Sequence, residues 1–344
     1  MTLPINHWYV IANRDEIGRD LLARTICGQA LVLFRTEDGT AIALDDRCPH
    51  RSYPLSEGTL LGDVIQCGYH GLRFDSCGTC VWVPGQERIP SRANARARPV
   101  VEQGVWIWAW MGDPADADAS LVPATPWFDD ESWGVAHGME PLAARYGLLI
   151  DNLLDLSHET FLHGGYIGTP EVAEAPITTE VDGDAAVVRV SRRMAGVECP
   201  PFYEKSTGLT TPIDRWQDIE YHAPGFYLLH VRVAAAGVAP APDGSDGDAA
   251  HVKVLYAITP VDDHNTLDFW AVCRDFALDD AAIGEFIGTM NRDVVLQDVR
   301  ALSLIEQRLG DDWSPPEVSL KIDAGGLAAR RVLESLTPAA TAGG

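Results

Sequence analysis

The sequence predicts an α+β protein in two parts: a small all-β domain over residues 1–111, and a larger domain over residues 127–344 built on an antiparallel sheet with a few helices. Three observations lead there. The first third of the chain is broken into short β-patterned runs by turn signals. Longer strand-like runs recur in the second half, and they are segregated from the helical patterns instead of alternating with them. One long amphipathic pattern, Ala281–Leu309, has no rival reading as a strand.

In chain order, strands are expected at Ala30–Phe34, Thr40–Leu44 and Gly104–Trp110, with turns at Glu37-Asp38-Gly39 and Pro84-Gly85. The stretch 112–126 (GDPADADASLVPATP) is rich in Pro, Ala and Asp without periodicity and reads as a linker. Helices are expected at Leu148–His163 and Ala281–Leu309. Further strands are expected at Ala185–Ser191, Phe226–Val233, His251–Ile258 and Thr266–Val272. No repeat or low-complexity segment interrupts this plan.

The chain has 344 residues and a formal net charge of −24. So acidic a chain is a poor nucleic-acid binder. No apolar run reaches the length of a membrane span, and the first residues lack the basic and apolar regions of a secretory signal, so a cytoplasmic protein is expected. Seven cysteines at scattered spacing do not form a disulfide framework. Cys77-Gly78-Thr79-Cys80 has redox-pair spacing but lies in a Gly-containing loop without a βαβ context, where simple loop thiols are the plainer reading. Between Ala41 and Trp110, Arg47, Arg51, Arg73, Arg88, Arg92, Arg96 and Arg98 balance the acidic residues. They form either a solvated mixed surface or a docking patch for an acidic electron donor.

Two short motifs carry metal chemistry. Cys48-Pro49-His50 is C-x-H, and sixteen residues later Cys67-Gly68-Tyr69-His70 is C-x-x-H. Two thiolates on one iron and two imidazoles on the other hold a Rieske [2Fe–2S] cluster, and the neutral imidazoles raise its potential. A structural zinc ion also takes Cys₂His₂, but zinc fingers group the two Cys and the two His, whereas here they alternate. Gly68, Gly71 and Pro49 leave room for backbone N–H groups near the sulfurs.

The stretch Asp151–Gly165 (DNLLDLSHETFLHGG) suggests a second centre. Asp155 and His158, three apart, would share a helix face. His158 and His163, five apart, converge on one atom only if the helix bends or ends between them, and Gly164-Gly165 is a stop signal. Two such histidines and a carboxylate make a facial triad that leaves positions open on non-haem Fe(II). Two carboxylates of the long helix, Asp298 and Asp293, compete for that third place. Asp298 interrupts the apolar stripe of Ile287, Val294, Leu302 and Ile305, which is costly unless the charge is paired or metal-bound. Asp293 lies on a mixed face. Without a metal, the histidines would be ordinary helix-end residues, Asp155 a surface carboxylate or cap, and Asn152 either a helix-start residue or a neighbour of the ligands.

Both motifs together resemble the oxygenase component of Rieske non-haem iron oxygenases, nearest the vanillate O-demethylase group with its dicamba and toluenesulfonate cousins. The likeness rests on Asn6–Val10 (NHWYV), Arg47–Arg51, Cys67–Leu72, Pro84–Gln86, Asp151–His163, Ile177–Gly183 (ITTEVDG), Ile213–Gln217 (IDRWQ), Gln297-Asp298 and Leu320–Arg331. It implies a helix-grip (START-like) catalytic domain and a homotrimer. It also implies Cys48, His50, Cys67 and His70 as cluster ligands, His158, His163 and Asp298 as Fe(II) ligands, and Asp155 as the carboxylate bridging the two centres. The implied activity is O2-dependent O-demethylation of a methoxylated aromatic carboxylate to a phenol and formaldehyde. Electrons would come from NAD(P)H through a separate flavin and [2Fe–2S] reductase. An aromatic-ring dioxygenase and a non-catalytic Rieske electron carrier are the competing functions. One departure from the group is basic: His230 and Arg232 alternate on a strand face, where an inward Arg232 would bind an aryl carboxylate and an outward one would be a half-exposed strand residue.

Overall fold

The protein is described by a computed structural model covering residues 3–243 and 245–336. It divides into two compact units. One comprises Ile5–Ala124 with Thr259–Asp262, and the other comprises the remaining described residues.

The first unit carries β1 (Trp8–Asn13), β2 (Leu22–Ile26), β3 (Gln29–Arg35), β4 (Ala41–Asp45), β5 (Thr59–Leu61), β6 (Val64–Gln66), β7 (Arg73–Phe74), β8 (Cys80–Trp82), β9 (Val100–Gln103) and β10 (Trp106–Trp110). They form three small sheets, ordered β1-β10-β9, β2-β3-β4 and β5-β6-β7-β8. Val32, Phe34 and Leu44 meet Leu55, Ile65, Leu72 and Phe74 in one core, and that core includes Cys48 and Cys67. The two thiols are therefore placed by ordinary apolar packing.

The stretch expected to be a linker is built into this unit instead. The indole N–H of Trp8 donates to Asp118 O (2.8 Å) and that of Trp110 to Asp113 O (2.8 Å), while Gln103 Nε2 donates to Pro123 O (2.7 Å). Side chains of β1, β9 and β10 satisfy its backbone, so its loop-like composition does not make it free.

The second unit holds β11 (Gly134–Leu142), α1 (Tyr146–Leu154), α2 (Glu159–Leu162), α3 (Pro170–Glu174), β12 (Ile177–Asp182), β13 (Val187–Val197), α4 (Pro201–Thr207), β14 (Ile213–His222), β15 (Phe226–Ala235), β16 (Ala250–Pro260), β17 (Thr266–Arg274), α5 (Ala281–Leu309) and α6 (Ala324–Leu336). The seven strands make one antiparallel sheet, ordered β11-β17-β16-β15-β14-β13-β12. α5 spans the residues its apolar period predicts. Asp280 caps it by accepting from Ala282 N and Ile283 N. Its buried stripe is Ile287, Asn291, Val294, Val295, Asp298, Leu302 and Glu306. α6 approaches closely because Gly325 and Gly326 face it inward: a Cβ on Gly325 would lie 2.7 Å from Val190 Cγ2, and one on Gly326 2.7 Å from Asp151 Oδ1. Arg330 then closes on Asp151. No helix among the described residues is long and apolar enough to cross a membrane.

The start of α1 is clamped to the end of α5. Arg145 Nε and Nη2 bind both oxygens of Glu306 (2.7 and 2.9 Å), Arg145 Nη2 reaches Gly310 O (2.7 Å), and the guanidinium lies over the Trp313 ring at 3.9 Å. His264 Nδ1 is 2.7 Å from the same carboxylate. Burial alone would raise the Glu306 pKa, but the hydrogen bonds from Arg145 and His264 hold it at about 2. Because the folded value is depressed, the stabilisation is whole above the ordinary carboxylate value of 4.5 and is lost as pH falls through about 2. His264 is raised, mainly by its bond to Glu306, so its smaller share is lost on the alkaline side. Urea titrations from pH 7 to pH 2.5 should show Glu306→Gln less stable at neutral pH, by on the order of 2–3 kcal/mol. The difference from wild type should shrink towards the acid end.

Candidate functional site

The segment expected as one helix is broken at Asp155. That residue leaves the helix (φ −119°, ψ 97°), and its carboxylate accepts from Ser157 N and Ser157 Oγ, both at 2.9 Å. An Asp that bonds the backbone two residues on competes with the helix, and here it wins. Leu156–His158 form a 3₁₀ turn, α2 follows, and α2 ends at His163. Asp155 and His158 therefore do not share a helix face. Instead, the main-chain oxygen of Asp155 lies 2.5 Å from His158 Nδ1.

The change from the 3₁₀ turn at His158 to α2, and the end of α2 at His163, bring the histidines together. Their ring centroids are 5.1 Å apart, inclined at 80°. His163 Nε2 lies 3.2 Å and His158 Nε2 3.6 Å from Asp298 Oδ1. Asn152 Nδ2 donates to the same oxygen at 3.1 Å. His163 Nδ1 is 2.6 Å from Gln297 Oε1. Both Nδ1 atoms thus face oxygen acceptors, which puts the ring protons there and leaves both Nε2 lone pairs turned inward. His163 Nε2 is buried with no hydrogen-bond partner, an orphan that a metal would satisfy. Burial would lower the His163 pKa, but Asp298 and Gln297 outweigh it and raise it. Among the described residues, His158, His163 and Asp298 are the group of three whose donor atoms converge, all within 4.8 Å of one another. Asp293 is exposed.

Residues that sequence reasoning passed over hold this geometry. Glu159, between the two histidines, is 3% exposed. It accepts from Arg215 Nη2 at 2.8 Å and Gln217 Nε2 at 3.0 Å. Arg215 Nη1 also reaches Ile167 O (2.8 Å), past His163. The signal was present in IDRWQ: β14 buries Ile213, Arg215, Gln217, Ile219 and Tyr221 alternately, so the polar pair points inward. The turn after His163 is tight. The carbonyl of His163 receives N–H groups from Tyr166, Ile167 and Gly168, and a Cβ on Gly168 would fall 1.8 Å from Glu159 O.

A pocket opens beside the three residues. Its walls are largely apolar, including Leu153, Leu156, Phe202, Leu229, Val231 and Val294, and it includes His158, His163 and Asp298. Tyr227, Leu229 and Val231 of β15 face it, so His230 and Arg232 lie on the other face of the sheet. Arg232 is bound there by Asp246 and Val238 O and stacks over Trp216 at 4.6 Å. His230 contacts Lys253 Nζ (2.9 Å) and Trp127. The structure does not bring either to the pocket.

In the first unit, the cysteine loops are built alike. Cys48 N donates to Tyr53 O and Ser52 N to Cys48 O; Cys67 N donates to Leu72 O and Gly71 N to Cys67 O. The fifth residue of each loop has positive φ, Ser52 at 59° and Gly71 at 77°. Burial pushes the Cys48 thiol up, while the backbone N–H groups of His50 and Arg51 turn toward its sulfur and pull it down. His50 and His70 stand at the exposed rim with ring centroids 4.6 Å apart. These four residues do not gather their donor atoms as one tetrahedral ion would require, and a cluster of two irons does not need them to. Arg73 stacks on Trp82 at 4.6 Å, while Arg51 is exposed.

Residues 7–93 match the Rieske [2Fe-2S] domain family, and residues 142–339 match the vanillate O-demethylase oxygenase C-terminal domain family. The chain belongs to the Rieske oxygenases of the vanillate O-demethylase family. It is 36% identical to the vanillate O-demethylase oxygenase subunit of Pseudomonas sp. (strain HR199 / DSM 7063), covering 98% of this chain and 95% of that one. It is 32% identical to the oxygenase component of dicamba O-demethylase from Stenotrophomonas maltophilia, covering 90% and 89%. The crystal structure of dicamba monooxygenase bound to 3,6-dichlorosalicylic acid superposes with a TM-score of 0.90 at 30% identity over 98% of both chains.

As an oxygenase component of this family, the chain is a monooxygenase with a Rieske [2Fe–2S] cluster and a mononuclear non-haem iron. The donor set and the orphaned His163 Nε2 fit that iron. Gln297→Leu leaves the His163 Nδ1 proton without its acceptor, so Fe(II) affinity should fall about 10–100-fold in chelator competition. The visible absorption of the cluster should stay unchanged.

Proposed function

We propose that this oxygenase removes the methyl group of a methoxylated aromatic carboxylate of the vanillate or syringate type. The products are the phenol and formaldehyde, and a separate reductase supplies electrons from NAD(P)H through flavin and a plant-type [2Fe–2S] centre. The observation that carries this reading is the His158, His163 and Asp298 group set beside a largely apolar pocket, in a chain whose relatives are named O-demethylase oxygenases.

In this reading His158, His163 and Asp298 hold the iron, and Cys48, His50, Cys67 and His70 hold the cluster. The iron supplies O2 activation and the cluster supplies electrons. The balance is one arene methyl ether, one O2, two electrons and two protons, giving a hydroxymethyl ether and water. The hydroxymethyl ether is a hemiacetal and collapses to phenol and formaldehyde without further redox chemistry.

The residues of the chain do the positioning. Gln297 and the Asp155 carbonyl fix both imidazoles in one tautomer. Asn152 occupies one lone pair of Asp298 Oδ1. The leucines and valines of the pocket hold the ring and exclude water, which suppresses wasteful reduction of oxygen. Asp155 and His158 line a separate groove together with Asp151, Glu317, Asp323 and Arg330. In a homotrimer, the cluster of a neighbouring copy docked there would deliver electrons through Asp155.

Two measurements test this. Formaldehyde should appear in step with NAD(P)H consumption for at least one member of a methoxybenzoate panel, with three irons per chain. Cis-diols without formaldehyde would point to a ring dioxygenase, and two irons to a carrier. Asp155→Asn can still cap Ser157 and should keep both centres, yet slow single-turnover electron transfer at least tenfold. A normal rate in that variant refutes the bridging role.

A further inference from the structure

α5 carries more than the iron-binding carboxylate. Asp298, Val294 and Asn291 all line the pocket. Asn291 lies seven residues, and therefore two helical turns, before Asp298, so the two share a face about 10 Å apart along the axis. Asn291 is 9% exposed, and its Nδ2 is shut off from water without a hydrogen-bond partner. An amide donor left unpaired in an apolar pocket is a cost that an entering acceptor removes.

The charges nearby favour an anion as that acceptor. Arg192 and Arg215 are both buried, at 4% and 2% exposure. Arg215 lines the pocket itself, and its Nε has no partner. Glu159 acts on both guanidinium groups and Asp155 on that of Arg192. With an iron bound, its two charges exceed the one of Asp298, and Arg215 lines the same pocket, so an anionic acceptor is favoured there.

We infer that Asn291 is the substrate anchor: its amide N–H receives the carboxylate of the aromatic acid and sets that group two helical turns from the iron ligand Asp298. The span admits one benzene ring with its methoxy group turned toward the iron. Specificity then depends on the distance between two positions of one rigid helix. This deepens the O-demethylation reading and rests on it for the identity of the reacting group.

The test uses holoenzyme with both metal centres, held anaerobic without an electron donor. Calorimetry compares 3-methoxybenzoate with 3-methylanisole, the same ether lacking the acid. Wild type should prefer the acid, and in Asn291→Leu, of similar size but without the donor, that preference should fall tenfold or more. Asn291→Asp keeps the shape and should also lose the preference, so it decides the matter if the leucine variant fails to load iron. The proposal is overturned if wild type shows no preference, if the preference survives in both variants, or if Tyr227→Phe abolishes it while Asn291→Leu does not. Tyr227 is the control because its hydroxyl on the facing sheet is likewise buried and unpartnered. The underlying reading fails separately. A preference that collapses in the variants while wild-type turnover yields no formaldehyde keeps the anchor and removes O-demethylation. Formaldehyde with an unchanged preference does the reverse.

Discussion

The buried pair of Glu159 and Arg215, completed by Gln217, is the constraint on which the second unit turns. Both charges are nearly inaccessible, with side-chain exposures of 4% and 2%. Such a pair is weak evidence of net stability, since desolvation offsets much of its Coulombic gain. Its value is positional. It ties β14 to the one helical turn lying between the two histidines, and Arg215 also holds the chain just beyond the second. Removing either partner leaves a buried charge and costs roughly 3–5 kcal/mol. That penalty falls on the segment whose shape lets two imidazoles five residues apart face one point.

Much of this was legible in the sequence where periodicity and burial agree. α5 begins and ends where its stripe does, and Asp298 stood out because a carboxylate on that stripe needs a reason. β3 and β4 follow from apolar runs, and β15 and β17 from runs that are mostly apolar and β-branched or aromatic. What was missed shares a physical cause: polar residues turned inward, or partners supplied from far along the chain. β14 hid because its inward positions include Arg and Gln, and β11 because it contains Gly134, Gly138 and Pro141. Asn291 sits on the same stripe as Asp298 and could have been found by the same argument. The break at Asp155 could not be read from spacing alone, since the competing bond is to Ser157. Arg232 shows the limit of strand alternation, which gives two faces but not which one is the core; Leu229 and Val231, its neighbours in the strand, are the inward ones.

The two candidate metal centres follow opposite rules. The cysteine loops present their histidines at an exposed rim while the sulfurs stay in the core, as suits a group that must exchange electrons with something outside its own unit. The three convergent residues of the second unit are set beside apolar walls, and His163 is almost wholly buried. One centre is built for access and the other for exclusion of water, and the difference is already present in which atoms the backbone leaves free.

The turn after His163 has a consequence for how such chains diverge. One carbonyl there serves three N–H groups, and Gly168 passes so close to Glu159 that no side chain fits. A loop wound this tightly has no slack, so a single inserted or deleted residue would displace an imidazole. By contrast, the described residues of the long connection between β15 and β16 are held near its two ends, Gly237 by Asp214 and Asp246 by Arg232 and His251. Length variation among descendants of this sequence should therefore collect in that outer connection. The six residues from His163 to Gly168 should keep their number even where their identities drift.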